Sequence, residues 1–559
     1  MFPSILPSRW HTLSFVTSCR KLTRALAAGM IVLLPLSACS GGSSGSNKSD
    51  DSPAAKATPI VVKDSLVNGA TSTHSTFTTP RSIDVKVPQI APARNLSQAI
   101  EVVRERSLRQ AQWDSATKVT QTSSFVASSA QILGVKISTT IEGPKPHTFD
   151  TTLWYDANYG QTFSPSVLIS WPGWAKFRNA VGQAADDASV DKAKALAALQ
   201  ESPAPYGTGP AMSFGSEGEL LVAFPAGVLD KEQKTLLVPK DKVDPVLSDL
   251  GVKAQGASLH PSTFSGTPDA RKTWWKPAND RPAPQSSPNL HPLPGDSTAG
   301  KDASADSQTR PSKQPTAPST TSTAISAAPV KDGEHPSTAV GIDCIARQCV
   351  ALTYDDGPGK RTGELLKTFE KQKAAATFFE MGNSIDAAPD TTRLVAASGF
   401  EIGNHSSTHP DLATLSTQTL KTEVGGNSDR LAKLTGRRPM LLRPPYGDHN
   451  DTADKVITDN NMAVINWSID TNDWQTHSAP KTLDKISKDV SIYTGPITLM
   501  HDIHDAAIDA SATAVPNLTR RGYQLVTVSE LTLNTGGVQA GHGYCRGNAL
   551  VQDGYLCKG

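Results

Sequence analysis

Hydrophobic positions fall into two patterns along the chain, separated by a stretch with neither. From residue 341 onward, short apolar runs recur: Val350–Tyr354, Ala375–Phe379, Phe400–Gly403, Met440–Arg443, Ala463–Trp467, Ile497–Met500 and Gln524–Val528. Between them lie segments of helical composition, such as Thr362–Lys373 and Lys481–Ile492. Continuous apolar runs alternating with helices are the mark of parallel strands buried on both faces. Seven such repeats predict an α/β fold, a distorted, seven-stranded (β/α) barrel of the TIM type. Upstream, over 81–262, alternating segments such as Ser82–Val87 and Val135–Ser138 mix with helix-forming stretches at Asn95–Arg109 and Ala175–Gln200. That mixture predicts a separate α+β domain. Between the two, residues 281–340 contain 10 Pro, 17 Ser or Thr and no aromatic residue. Such a window cannot bury a core, so 263–340 reads as a Pro/Ser/Thr-rich linker.

The chain has 559 residues, enough for more than one domain, and 54 Lys+Arg against 53 Asp+Glu leave a net charge of +1. A near-neutral balance gives no broad field for phosphate backbones, which argues against a nucleic-acid partner. The N-terminus has the form of an export signal. Arg9, Arg20, Lys21 and Arg24 precede the apolar run Ala25–Leu36, and the first acidic residue is Asp50. That run is short for a permanent membrane span. It ends in Leu36-Ser37-Ala38-Cys39, which resembles the bacterial lipobox. The resemblance implies a signal peptide over 1–38, a lipid on Cys39 and a flexible tether over 39–80. The expected location is therefore lipid-anchored on the outer, cell-wall face of a bacterial membrane; a plain secretory signal cut near Cys39 is the alternative.

Beyond Cys19 and Cys39, four cysteines remain: Cys344, Cys349, Cys545 and Cys557. In an exported domain they suggest two disulfides, with three connectivities open and the sequence-local pairing favoured. A four-thiolate zinc site competes, but the spacings lack the usual CxxC pairs.

Polar groups follow the predicted strands. Asp355-Asp356-Gly357-Pro358 follows the first, His405-Ser406-Ser407-Thr408-His409 the third, and Arg443-Pro444-Pro445-Tyr446-Gly447 the fourth. Asp470-Thr471-Asn472-Asp473-Trp474 follows the fifth and His501-Asp502-Ile503-His504 the sixth. In a β/α barrel these strand ends converge on one face, where active sites lie. His405 and His409 are spaced i, i+4; on a helical turn both imidazoles reach one metal ion, and an Asp completes a two-His, one-carboxylate set. Either feature alone is weak, since a HxxxH pair or a double Asp is commonly structural. Together, at successive strand ends, they point to hydrolysis assisted by a metal.

The joint pattern resembles the NodB-homology polysaccharide deacetylases, carbohydrate esterase family four, over essentially all of 341–559, and among them lipoprotein peptidoglycan deacetylases. Tyr354 stands where that family usually has Phe. The resemblance implies that Asp356, His405 and His409 bind a divalent ion, zinc first, with cobalt or manganese able to use the same ligands. Asp355 would be the general base, paired with Arg443. His501, held charged by Asp473, would protonate the departing amine. The backbone N–H of Tyr446 would help stabilise the oxyanion, Leu499 would line the acetyl pocket and Trp474 would wall the sugar groove. Plain structural readings stand beside these: Trp474 as core, Arg443 as a structural ion pair, Asp470 as a loop brace, Asp502 and His504 as support for His501. His449, His477 and His542 fall outside the motifs.

The implied activity is removal of N-acetyl groups from a polymeric N-acetylhexosamine, with cell-wall polysaccharide the expected partner. Chitin-like polymers and acetylated xylan are the alternative substrates. A different class of function is a wall-binding pseudoenzyme whose first domain is a sensor. Thr152–Asp156 with Ser164–Leu168 is similar, over a strand or two, to the extracytoplasmic domain of lysozyme-sensing anti-sigma factors.

Overall fold

The computed structural model describes residues 59–266 and 333–547. The expected signal peptide, Cys39, the first part of the tether, most of the linker and Cys557 lie outside them. The first region is an α+β arrangement. Six strands form one sheet in chain order: β1 (Ala70–Phe77), β2 (Ser82–Ile90), β3 (Lys118–Ser128), β4 (Ile132–Glu142), β5 (His147–Asp156) and β6 (Gln161–Phe163). β2 and β3 are parallel, joined by the helix α1 (Arg94–Trp113); the other neighbours are antiparallel. The period-two pattern is real: Ile83, Val85 and Val87 are buried while Ser82 and Lys86 are exposed. A smaller antiparallel sheet, β7 (Ala211–Phe214), β8 (Leu220–Phe224) and β9 (Lys234–Val238), encloses a second core around Trp154, Trp174 and Phe214.

Two boundaries differ from expectation. β1 lies inside the stretch read as tether; its run of small hydroxylated residues has no apolar signal, and pairing with β2 along its whole length makes it a strand. The segment Ala175–Gln200 is two helices, Trp174–Asp187 and Lys192–Ala198, broken where Ser189 takes a positive φ and Asp191 caps the second.

Both described ends of the expected linker are held on the N-terminal domain. Phe264 N donates to Leu66 O (2.8 Å) and Ser262 N to Ser128 O (2.9 Å). At the other end, Ser164 N donates to Thr338 O (2.9 Å), and the His335 ring stacks on Trp171 with centroids 4.7 Å apart. Residues 333–340 are therefore docked chain, which their Ser/Thr/Pro composition concealed.

The second region is a curled parallel sheet, a distorted barrel. Its order is β16 (Ile469–Asp470), β17 (Thr498–His501), β11 (Thr353–Asp355), β12 (Thr377–Glu380), β13 (Glu401–Asn404), β14 (Leu441–Leu442), β15 (Ala463–Ile465) and β19 (Gly543–Tyr544). A separate parallel pair joins β10 (Cys349–Val350) to β18 (Gln524–Leu525). The seven predicted strands all appear, the first split into β10 and β11. Because 463–470 pairs with β14 through β15 and with β17 through β16, one chain segment bends the sheet round on itself. A disulfide joins Cys344 to Cys349 at the entrance to β10; Cys545 is also disulfide-bonded.

α1 lies between the six-stranded sheet and the barrel, with 17 of its 20 residues buried. Its apolar side belongs to a cluster that runs without interruption from Ile83, Leu96 and Ile100 to Phe369, Phe378, Phe400 and Leu533 of the barrel. Its charged residues are buried too. Arg437 pairs with Glu105 (2.8 Å) and Glu101 (3.2 Å), and Arg109 pairs with Glu530 (2.5 Å). Burial lifts Glu105 to about 8 against the pull of Arg437, whereas Arg437 and Arg104 overcome burial and hold Glu101 below its ordinary value. Arg94 donates to Val538 O (2.6 Å) and Met440 O (2.9 Å).

Candidate metal and catalytic site

β11 ends in Asp355, and Asp356 follows with φ +68, a left-handed conformation that Asp tolerates better than most residues. The turn sends the two carboxylates in different directions. Asp355 is buried and accepts from Arg443 Nη1 at 2.7 Å. Asp356 Oδ1 lies 3.4 Å from His405 Nε2 and 3.4 Å from His409 Nε2. Those three side chains are the one group of three or more potential metal ligands gathered closely among the described residues.

His405 and His409 do not meet on a helix. The segment after β13 is a loop in which Ser406 (φ +62) and His409 (φ +64) are both left-handed, and polar contacts hold its shape. Asn404 Oδ1 accepts from Ser406 N (2.7 Å), Ser406 Oγ accepts from His409 N (3.0 Å), and Glu423 Oε2 accepts from Ser407 N (3.0 Å) and Thr408 N (2.9 Å). The i, i+4 spacing brings the imidazoles together through this loop, with ring centroids 5.0 Å apart. Asn404 and Glu423 carry no motif that would have singled them out; Glu423 lies on a distant turn of chain.

The group fits a divalent ion on four observations. Asp356 Oδ1 is buried with no hydrogen-bond partner. His405 Nδ1 lies 2.7 Å from Arg443 O and must donate to it, which leaves the Nε2 lone pair facing Asp356. Burial opposes charge on Asp356, yet His405, His409 and His501 overcome it and hold the carboxyl at about 2, so it is ionised and ready to ligate. Burial and the neighbouring His405 both lower His409, favouring its neutral, ligating form. Nitrogen and carboxylate donors with room for further ligands are the chemistry of catalytic zinc.

Arg443 organises both halves of the site. It is fully buried; beside Asp355 it donates to Thr353 Oγ1 (2.7 Å), Ile465 O (3.0 Å) and Asn466 O (3.2 Å), and its guanidinium stacks 4.2 Å above the Phe379 ring. Each donor fixes the fork, and the fork fixes Asp355.

His501 sits on β17 directly opposite Asp355 on β11. Its Nδ1 is 3.1 Å from Asp473 Oδ1, and its backbone N donates to Asp473 Oδ2 (2.9 Å). Burial pulls the imidazole down, but fully buried Asp473 outweighs it and raises His501 to about 9. A cationic imidazole therefore stands beside the Asp355 carboxylate and the Asp356–His405–His409 group. Asp502, next in the chain, points away to Thr362 Oγ1, and burial lifts it to about 6. His504 lies edge-on to His501 with centroids 5.7 Å apart, and exposed His477 lies 5.2 Å from His504. Sequence reading placed His477 outside the site; its left-handed turn after Trp474 brings it to the rim.

Of the other expected residues, Tyr446 has φ +63 and presents an exposed ring 4.7 Å from that of His409. Trp474 is 46% exposed, so it is not a core residue. Leu499 is buried, its carbonyl accepting from Thr471 Oγ1 (2.8 Å). His449 pairs with Asp454 (2.6 Å).

Comparison with known proteins follows this geometry. The family described as polysaccharide deacetylase matches residues 343–465. The peptidoglycan-N-acetylmuramic acid deacetylase PdaC of Bacillus subtilis is 36% identical over 186 residues, 33% of this chain and 39% of that protein. A peptidoglycan-N-acetylglucosamine deacetylase of Bacillus cereus is 32% identical over 192 residues, 33% of this chain and 70% of that protein. The chitin deacetylase of Colletotrichum lindemuthianum is 30% identical over 217 residues, 36% of this chain and 87% of that protein. A solved structure of the Bacillus subtilis deacetylase PdaC is 35% identical, covering 34% of this chain and 91% of that one, with a TM-score of 0.32. This chain belongs to the polysaccharide deacetylase family. Its match spans about two fifths of the length of PdaC and of the Listeria monocytogenes deacetylase PgdA.

Proposed function

We propose that residues 341–547 carry a metal-dependent deacetylase that hydrolyses N-acetyl groups from a polymeric N-acetylhexosamine, with peptidoglycan N-acetylglucosamine as the substrate. The observation that carries this reading is the convergence of Asp355–Arg443, the Asp356–His405–His409 group and His501–Asp473 at neighbouring strand ends. Asp356, His405 and His409 would hold a divalent ion, whose Lewis acidity would serve the acetamide carbonyl and the attacking water. Asp355, oriented by Arg443, accepts the proton of the attacking water. His501 delivers a proton to the departing nitrogen, which leaves poorly as an amide anion. Asp473 holds that proton on His501 until it is needed. The exposed rings of Tyr446 and Trp474 offer apolar faces to a sugar.

Peptidoglycan is favoured because relatives acting on it, by their names, are among the most similar, and because the expected lipid anchor on Cys39 would keep the enzyme beside the wall. Chitin-like polymers are the second reading, supported by the chitin deacetylase relative; acetylated xylan follows. A wall-binding pseudoenzyme with a sensor-like first domain is disfavoured by a complete reactive set. The test is acetate release from purified peptidoglycan and from a chitin oligomer, with and without zinc, beside Asp355→Asn. Zinc-dependent release from peptidoglycan, lost in the variant, is expected. No release from either polymer by zinc-loaded protein would overturn the reading.

A further inference from the structure

We propose that α1 is the floor of the catalytic barrel: the N-terminal domain and the barrel fold as one unit, and α1 fixes the strands that carry His405 and Arg443. The inference uses the metal-site reading for one of its two tests.

Domains joined only by a linker meet, as a rule, through modest polar surfaces that part easily. Here the apolar core is continuous across the joint. Backbones also meet directly. Gly399 has φ +79, and a Cβ there would stand 2.3 Å from Glu105 O on α1; at Gly436, φ +79, a Cβ would stand 2.1 Å from His74 O on β1. Arg109 donates to Gly399 O at 2.6 Å, and Ser75 Oγ to Thr435 O at 2.6 Å. Contacts this close leave no solvent layer.

The contact points have a common place in the barrel. Gly399 lies two residues before β13, whose last residue, Asn404, leads into His405; Arg437 precedes β14, which leads into Arg443; and Asn461, whose side-chain oxygen accepts from Arg94 Nη1 (2.6 Å), precedes β15. α1 thus grips the starts of three consecutive strands whose other ends build the site. These strands have only two to four residues each, so a displacement at the start passes to the end with little slack. Parting the joint would leave Glu105, Arg437 and Glu530 without their partners, and desolvated pairs lose most when one member goes.

The first test uses the whole chain with a protease site inserted between residues 281 and 320. After cleavage the two pieces are expected to co-elute in 1 M salt and to unfold in a single transition coincident by near-ultraviolet dichroism and tryptophan fluorescence. Pieces that separate, or two resolved transitions, would overturn the proposal. The second test measures zinc affinity by competition with a chelating dye in Arg437→Met and Arg437→Lys. The Met variant is expected to bind zinc about tenfold more weakly, by analogy with loss of an outer support of metal ligands, and Lys to recover part of the loss. A folded Met variant with unchanged zinc affinity would refute the positioning role; if it does not fold, Arg437→Gln is judged by the same criterion. Should the wild-type protein bind no zinc, the metal-site reading fails while the cleavage test still decides whether the two domains are one unit.

Discussion

Replacing Asp473 by Asn removes the charge that holds His501 protonated while keeping the side chain's shape. His501 stands at about 9 against an ordinary 6.5, with Asp473 acting against burial. At about 1.4 kcal/mol per unit, that shift is roughly 3 kcal/mol of net preference for the cation, with Asp473 the largest favourable contributor beside Asp355 and Asp356. In Asp473→Asn only the weaker pulls of Asp355 and Asp356 act against burial, and His501 should fall from about 9 back toward its ordinary 6.5. At pH 8 a return to 6.5 takes the protonated fraction from about nine tenths to about one in thirty. The alkaline limb of acetate release should move from near pH 9 toward 6.5, with a loss approaching about thirtyfold at pH 8. Nuclear magnetic resonance titration of His501 in zinc-free protein reads the same quantity without turnover. The sign for stability follows from linkage: a raised imidazole pKa stabilises the fold fully below 6.5, and that contribution disappears as pH rises through 9. A wild-type His501 titrating near 6.5, or a variant whose alkaline limb stays near 9, would refute the reasoning.

Three further outcomes are expected. His409→Ala should abolish tight zinc binding by calorimetry with little change in melting temperature, since His409 is half-exposed and its main neighbours are the other ligands and Tyr446. Arg443→Met should leave Asp355 buried and uncompensated, costing about 3–5 kcal/mol of stability by urea unfolding and most of the activity. Gly399→Ala, placed at φ +79 with its methyl against Glu105 O, should destabilise by more than about 2 kcal/mol, and a neutral result would mean that α1 and the barrel are looser than their contacts imply.

The barrel and the gathering of its polar strand-end residues were largely legible in the sequence. Buried parallel strands write themselves as apolar runs, and a β/α topology gathers whatever follows those runs. Asp355, Asp356, His405, His409, Arg443 and His501 could therefore be grouped without knowing a distance. What could not be read was anything set by long-range polar contact. The loop that brings His409 round depends on Glu423, which resembles any surface glutamate in sequence. β1 is a strand only because β2 pairs with it. α1 presents Arg and Glu at nearly every turn, the composition of a solvated helix, and is buried because Arg437 and Glu530 await those charges hundreds of residues away.

The long Pro/Ser/Thr-rich stretch takes on a different meaning once its two described ends are located. Phe264 and His335 are both fastened to the N-terminal domain, so both described ends of the stretch are anchored to one body. Its length then sets no distance between catalyst and accessory domain. Loop closure grows only slowly costlier with length, about 0.6 kcal/mol per doubling, so insertions, deletions or added tags there should pass almost unnoticed by the enzyme.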